Sequence, residues 1–304
     1  MLPGLSCRAR FGIAALTIAL AATFADAQSA LNLSRAQESQ LYDLASRILK
    51  HADAAGCKKN SCTILVNNFA GPSGATTPLG MQLADALSLQ LASQGNEFHV
   101  VDRAKFREFL GRERIESKLL EDDNAARWLA KENGANVVLV GYLRGDSAQK
   151  NLHVQLLDTR DFAKKSPKAT GHAEEAAFSD LGFAGDLDPA EPFGKPPDLP
   201  GSDTAFKFGK GAMGKAVTPP RCTYMPNPSY SDPARAVKLQ GVLVVQVLIS
   251  ESGAITDEQV VKGLPFGLNA QALETVKNWR CDPVTVNGQP KAVVVPIEVS
   301  FRLY

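Results

Sequence analysis

Glycines and a lysine near residue 210 form the segment that comes closest to a phosphate-binding motif. Residues 209–216, GKGAMGKA, satisfy G-x-G-x-x-G and nearly satisfy the Walker pattern, with Ala216 where a Ser or Thr should bind magnesium. Phosphate binding there requires a preceding strand and a following helix whose N-terminus faces the phosphate. This segment instead follows a Pro-rich stretch and precedes Val217-Thr218-Pro219-Pro220, which cannot open a long helix at once. We interpret it as glycine spacing in a linker and expect no nucleotide cofactor.

The histidines and acidic residues give no catalytic or metal-binding pattern. The four histidines fall in separate predicted elements without the spacing of metal ligands; they are His51, His99, His153 and His172. The sequence has no G-x-S-x-G, and Asp102 and Asp122-Asp123 stand where helix caps are wanted. Lys and Arg total 33 and Asp and Glu 32, a balance that argues against nucleic acid as a partner. We therefore expect a non-enzymatic binding protein with no catalytic residue, no metal and no cofactor.

The first 27 residues have the pattern of an export signal. Arg8 and Arg10 precede an apolar run from Phe11 to Phe24, and Ala25-Asp26-Ala27 supplies small residues at the cleavage positions. The run is about 14 residues long, whereas a membrane-spanning helix needs roughly 20. We predict cleavage after Ala27 and a periplasmic location. The alternative is an uncleaved inner-membrane anchor with the remainder of the chain facing the periplasm.

The cysteines predict two disulfides. Cys7 precedes the apolar run, so it cannot be a lipoprotein acceptor, and removal of the signal leaves four cysteines, an even count typical of disulfides in an exported chain. Four cysteines allow three pairings. Location favours Cys57 with Cys62, which flank a Lys-Lys-Asn-Ser turn, and Cys222 with Cys281, which belong to the last domain.

Residues 28–181 predict an α/β layered domain. Ser34 to Ala55 has helical apolar spacing, with Ser34 as the N-cap and Gln37 at the capping-box position. Further helices are predicted near residues 79–91, 104–110 and 124–132, and strands at Cys62–Phe69, Phe98–Asp102, Val137–Leu143 and Leu152–Asp158. The resulting order is α-β-α-β-α-α-β-β, which favours a layered α/β arrangement.

Four pieces of this domain carry a resemblance to a known exported domain. They are TILVNNF, GMQLADALSLQLA, VVDRAKFREFL and ANVVLVGYLRG, within residues 57–165. Their order and sequence resemble the domain shared by CsgG, FlgO and the N-terminal part of TolB. The resemblance covers about a third of the chain and rests mostly on core positions, so it implies a fold and an exported location but no activity.

The remaining sequence predicts a linker and a second, smaller domain. Pro and Gly punctuate residues 182–216, which we interpret as a flexible linker. Residues 217–304 predict an α+β domain with an antiparallel three-stranded sheet and helices. Its elements are a short helix after Ser231, a strand from Gly241 to Ile249, a partner at Ile255–Val261, a helix from Leu268 to Trp279, and a last strand from Lys291 to Arg302.

Several ordered motifs place this last domain beside a known family. P-x-Y-S-x-x-A-R, G-V-L-V-V-x-V, G-L-N-x-x-A-L, W-x-x-x-P and V-P-I-E-V-x-F resemble, in order and spacing, the C-terminal domain of TonB energy transducers. Cys281 departs from the family, which usually has an aromatic residue after Trp-Arg. A second departure lies upstream, because TonB proper keeps an uncleaved anchor and a long Pro-rich spacer.

The TonB resemblance implies binding by strand addition to an extended segment of an outer-membrane receptor. An edge strand offers unpaired backbone donors and acceptors, and Pro296 suits an edge because proline is tolerated there. The predicted partner-binding strand comprises Val293, Val294, Val295, Pro296, Ile297, Glu298, Val299 and Ser300.

We therefore predict a periplasmic adaptor of the cell envelope that binds an outer-membrane TonB-dependent receptor or another envelope protein, without nucleic acid. Two alternatives remain open. The chain is a true energy transducer if its N-terminal anchor is retained. It is an envelope assembly or secretion accessory if the N-terminal domain dominates its function.

Overall fold

A computed structural model describes residues 32–52, 57, 60–94, 98–145, 149–164, 173–179, 193, 195–207 and 217–303. The predicted signal (residues 1–27) and the glycine motif (residues 209–216) lie outside these residues. Among the described helices, none combines the length and the apolar character needed to cross a membrane.

Six helices and thirteen strands make up the described fold. The helices are α1 (Arg35–His51), α2 (Pro78–Gln94), α3 (Arg103–Glu113), α4 (Asp123–Glu132), α5 (Asp232–Ala236) and α6 (Leu268–Val276). The strands are β1 (Cys62–Val66), β2 (Phe98–Val100), β3 (Val137–Gly145), β4 (Gln149–Asp158), β5 (Glu174–Ser179), β6 (Phe206–Lys207), β7 (Cys222–Tyr224), β8 (Gly241–Ile249), β9 (Ile255–Lys262), β10 (Arg280–Cys281), β11 (Thr285–Val286), β12 (Gln289–Pro290) and β13 (Val293–Phe301).

The helix boundaries follow from local capping chemistry. At α1 the Ser34 side chain accepts a hydrogen bond from the Gln37 amide while the Gln37 side chain accepts one from the Ser34 amide, which confirms the predicted capping box. The Asp102 side chain caps α3 by accepting a hydrogen bond from the Lys105 amide, and the Asp122 side chain caps α4 by accepting from the Asn124 and Ala125 amides. The hydrogen bond from the Lys105 amide holds the pKa of the Asp102 carboxyl below its ordinary value. These aspartates are structural caps.

The N-terminal sheet has five strands in the order β2-β1-β3-β4-β5. Strands β2, β1 and β3 are parallel, and β3, β4 and β5 are antiparallel. Helices α1 and α2 pack on one face around Leu44, Leu83 and Leu87, and α3 and α4 pack on the other around Phe106 and Leu129. This is the predicted α/β layered fold, with β5 as an additional strand that the sequence did not reveal.

The C-terminal sheet has four strands in the order β6-β13-β8-β9. Strands β13, β8 and β9 form the predicted antiparallel three-stranded sheet, and the short β6 joins β13 in parallel. The face toward α5 and α6 buries alternate residues of β8, as the period-two pattern predicts; these residues are Leu243, Val245, Val247 and Ile249.

The two sheets share one hydrophobic core. Phe266, which follows β9, lies 5.7 Å from the Trp128 ring of α4 and 5.8 Å from the Phe162 ring, centroid to centroid. A single cluster of buried residues runs from Leu65 of β1 to Phe301 of β13. The regions 28–181 and 217–304 therefore pack on each other through a continuous core. Their division into two separate domains remains a prediction from the sequence.

Backbone hydrogen bonds reinforce this contact at a segment that we call the junction, residues 113–116 against residues 261–264 and Asn269. The Gly263 amide donates to the Arg114 carbonyl oxygen at 2.8 Å, and the Asn269 side-chain amide donates to the Glu113 carbonyl oxygen at 2.7 Å. The Asn269 side-chain oxygen accepts from the Leu264 amide at 2.9 Å. One buried asparagine thus satisfies backbone groups of both regions.

Both predicted disulfides are present. Cys57 is bonded to Cys62, and Cys222 is bonded to Cys281. The second bond joins cross-strand partners of the small β7–β10 ladder and ties the entrance of the C-terminal region to the segment after α6.

Candidate functional site

The predicted partner-binding strand is β13. Nine of its residues pair with β8 in regular antiparallel register, from Val293 opposite Ile249 to Phe301 opposite Gly241. Its odd-numbered side chains face α6, where Val293, Val295 and Val299 are buried. On the opposite face, the even-numbered Pro296, Glu298 and Ser300 are exposed and Val294 is half-buried. Ile297, on the α6 face, is also half-buried.

The first two residues of this strand already have a partner on their outer side. Strand β6 pairs in parallel with Val293 and Val294, and the Phe206 amide donates to the Ala292 carbonyl oxygen at 2.8 Å. Only the part of the strand from Val295 onward lies beyond β6. The predicted edge of residues 293–300 therefore has its first two residues covered by β6, a strand that the sequence pattern did not predict.

The register fixes which backbone groups of β13 face outward. Since the Ala292 carbonyl faces β6, strand alternation directs the amides and carbonyls of even-numbered residues away from β8. The missing N–H of Pro296 therefore costs no hydrogen bond to β8. Glu298 and Ser300 each present an N–H and a C=O outward, and Pro296 presents a carbonyl. We call residues 295–301 the free edge.

The polypeptide that leads into β6 crosses the solvent-facing side of the C-terminal sheet. Leu199 and Ala205 are buried against Leu248 of β8, with Val294 of β13 beside them. The Gln259 side chain of β9 donates to the Pro197 carbonyl oxygen at 2.6 Å. We call residues 195–207 the strap.

The strap differs from the extended, poorly packed linker predicted over residues 182–216. Its apolar residues follow no helical or strand period, which is why the sequence pattern missed it. Leu199 and Ala205 nevertheless pack with Leu248 of the sheet. The difference lies in contacts that only the tertiary fold creates.

The other edge strand of the sheet, β9, contacts the junction at its C-terminal end. The Arg114 side chain donates to the Val261 carbonyl oxygen at 3.2 Å, and the Lys262 ammonium lies 2.7 Å from the Glu116 carboxylate. At the far end of β13, the Tyr230 hydroxyl donates to the Leu239 carbonyl oxygen at 3.0 Å and its ring packs edge-on against Phe301. Burial raises the pKa of the Tyr230 hydroxyl. These contacts hold the free edge on a fixed framework.

Within the described residues, no group of three His, Cys, Asp or Glu side chains is placed to hold a metal ion. His51 and His153 each lie beside a glutamate of β5, at 3.0 Å from Glu174 and 3.4 Å from Glu175 respectively. The arrangement of the described residues therefore offers an edge for backbone pairing and no constellation for metal chemistry.

Residues 226–303 match the family model described as Gram-negative bacterial TonB protein C-terminal. The resemblance predicted from the motifs of this region is thereby confirmed. The family match covers the three antiparallel strands, α5 and α6, and it excludes β6 and the strap.

Solved structures give weaker likenesses. The LpoB C-terminal domain from Escherichia coli is 17% identical, with a TM-score of 0.35, and the match covers 47% of this chain and 97% of that one. The Pseudomonas aeruginosa TonB C-terminal domain is 24% identical, with a TM-score of 0.24, over 28% of this chain and 86% of that one. Lipoprotein GNA1162 from Neisseria meningitidis is 15% identical, with a TM-score of 0.31, over 40% and 83%. No curated protein matches the chain.

Proposed function

We propose that this protein is a periplasmic adaptor whose TonB-like domain binds an extended segment of an envelope partner by strand addition along the free edge. An outer-membrane transporter is the first partner to test, because the family match covers residues 226–303. The chain acts by binding and has no enzymatic activity.

One observation carries this proposal. The free edge continues a regular nine-residue ladder with β8, yet its outward backbone groups at Glu298 and Ser300 face away from every strand that the structure describes in this sheet. Unpaired edge groups of this kind form a template for an added strand. Each net backbone hydrogen bond is worth about 1 kcal/mol, so several along the edge give a modest but specific affinity.

The added strand would follow β6 along the outer side of β13 without replacing it. Because the described part of β6 ends at Lys207, a partner segment entering opposite Val295 would extend the same outer strand position. Its side chains would alternate between the strap side, near Glu298, and the α6 side, near Ile297. A partner segment of about seven residues matches the length of the free edge at one residue per paired position.

A site-specific cross-link tests the position of the partner. A photoreactive amino acid at Ser300 should capture an envelope protein in cells that express the chain. The same group at Glu274, which is exposed on α6, serves as the matched control. It should not capture the protein that is captured at Ser300. Equal capture at both positions, or capture at Ser300 that survives Glu298→Pro, would contradict strand addition.

The location of the chain requires its own test. We propose cleavage after Ala27, and N-terminal sequencing of the protein purified from cells would show a first residue at Gln28. A chain that starts near Met1 and fractionates with the inner membrane would favour the transducer alternative.

A further inference from the structure

The N-terminal sheet has a cavity of about 430 Å³ at the carboxyl ends of its parallel strands. The chain leaves β1 toward β2 on one side and then returns to β3 on the other, so the order of the sheet reverses between β1 and β3. Crevices at such a reversal are the usual ligand sites of open α/β sheets. The volume lies within the range of small-molecule pockets.

The cavity lies on the same face of β3 and β4 as helices α3 and α4. These helices cover the part of the face near Val138 and Leu157. Toward the carboxyl end of β3, Val140 and Tyr142 line the cavity together with Gln155 of β4. The turn of residues 70–76, held by a bridge between Ala70 and Thr76, forms a side wall.

One wall of the cavity carries two stacked rings and an exposed cation. The Tyr142 ring stacks on the His153 ring with centroids 4.8 Å apart, and the Arg144 guanidinium lies 4.7 Å from the Tyr142 centroid. His153 also lies 3.4 Å from Glu175 of β5. Arg144 has no carboxylate partner among the described residues, so its charge is available to a ligand.

A second wall of the cavity is anionic, and its side chains are exposed to solvent. Glu121 and Asp123 line it, and the Asp123 carboxylate lies 3.6 Å from Arg127. No described residue donates a hydrogen bond to the Glu121 carboxylate. Burial raises the pKa of the Glu121 carboxyl, and the nearby Lys118 ammonium offsets only part of this effect. A cationic group at this wall would stabilise the ionised Glu121 carboxylate.

Two buried amides form a third part of the lining, which we call the floor. Asn68 is held in place because its side-chain oxygen accepts a hydrogen bond from Arg103 at 2.5 Å, and Arg103 also donates to the Val66 carbonyl and to Asp85. Asn67 is buried beside it and its side-chain oxygen accepts from the Asn68 amide at 2.9 Å. The floor is thus preorganised for polar contacts.

We propose that this cavity binds a small zwitterion, an amino acid or short peptide, with its ammonium against Glu121 and its carboxylate against Arg144. The lining of this one cavity carries an anionic wall, a cationic wall and fixed amides, so it complements a ligand that carries both charges. The site lies in the N-terminal region and is independent of the free edge of β13.

Titration of the purified full chain with tri-alanine tests this proposal. Amide NMR shifts should fall on residues 67–76 and 140–144. Blocking either charge, as N-acetyl-tri-alanine or as tri-alanine amide, should weaken binding about tenfold or more, because each blocked end leaves one wall charge without its partner. Glycine, titrated in parallel, separates an amino-acid ligand from a peptide ligand.

Matched variants assign each charge to its wall. In Glu121→Gln the difference between tri-alanine and its N-acetyl form should disappear, whereas the effect of the C-terminal amide should persist. In Arg144→Gln the pattern should reverse. Glu132→Gln, an exposed change at the far end of α4, should alter neither. No shifts at millimolar ligand with a folded spectrum, or binding that ignores both blocked ends, would overturn the proposal.

Discussion

At the scale of single residues, Gly263 decides whether the two regions can meet. A Cβ at this position would lie 2.0 Å from the Glu113 carbonyl oxygen, a backbone atom that cannot move aside cheaply. Its amide also donates across the junction to Arg114. A side chain at residue 263 would force the two segments of the junction apart.

We therefore expect Gly263→Ala to lower the free energy of unfolding by roughly 2–4 kcal/mol, through overpacking and a strained junction. Gly111→Ala is the control, since a Cβ there meets nothing within 4 Å and the residue lies in α3. That change should be neutral or stabilise by up to about 1 kcal/mol. Urea denaturation of both variants would show the contrast, and equal stabilities would disprove the argument.

Proline substitutions in β13 distinguish outward amides from inward ones. Glu298→Pro removes an outward donor, so it should weaken partner binding while the fold persists. Val299→Pro removes an inward donor to β8 and disturbs a buried residue, so it should destabilise the protein by roughly 2–4 kcal/mol. Circular dichroism melts and binding assays on the two variants would separate these effects. A larger loss of stability in Glu298→Pro would show that the assignment of outward amides is wrong.

At the scale of elements, the strap controls how much of the β13 edge is available. Leu199→Ser should detach it, because the Leu199 side chain is buried against Leu248. The Val294 amide should then exchange its hydrogen faster, and a strand-adding partner should gain two more residues of edge and bind more tightly. Asp203→Ser, at an exposed position of the same segment, should change neither quantity. Hydrogen exchange read by NMR provides the measurement, and an unchanged Val294 rate in Leu199→Ser would contradict the role of the strap.

The two disulfides should contribute unequally to stability. Cys222 and Cys281 are 59 residues apart and Cys57 and Cys62 are 5 apart. Loop-closure entropy then predicts that the free energy of unfolding falls by about 4 kcal/mol when Cys222–Cys281 is removed and by about 2 kcal/mol when Cys57–Cys62 is removed. Paired Cys→Ala variants compared by urea denaturation would test the ranking, which the reverse order would refute.

The elements show what the sequence could and could not predict. The caps at Ser34, Asp102 and Asp122 and the alternation along β8 were predictable, since each depends on neighbours within a few residues. Strand β6 was not predictable, because two residues carry no period and its pairing with Val293 depends on the tertiary fold. The two charges that line one cavity, at Glu121 and Arg144, were missed for the same reason. Neither charge stands in a motif, and only the sheet order brings them together.

At the scale of the whole molecule, the shared core predicts a single unfolding transition for both sheets. The chain has two tryptophans, and they report on different regions: Trp128 on α4, and Trp279 after α6. Trp128→Phe and Trp279→Phe therefore leave one fluorescent probe in each region. For each variant, we expect the fluorescence denaturation curve to coincide with the loss of secondary structure measured by circular dichroism on the same variant. Separate midpoints for the two probes would show that the regions unfold independently.

The position of Phe266 also sets the order in which the chain can fold. Phe109 and Trp128 of the N-terminal layer are synthesised about 140 residues or more before the aromatic ring that packs on Trp128 emerges, and contacts of such separation form slowly. Until then this apolar surface faces water and is open to association with other chains. The N-terminal layer therefore cannot complete its packing until residue 266 has been synthesised. A chaperone that shields the α3–α4 surface would be of most use during that interval.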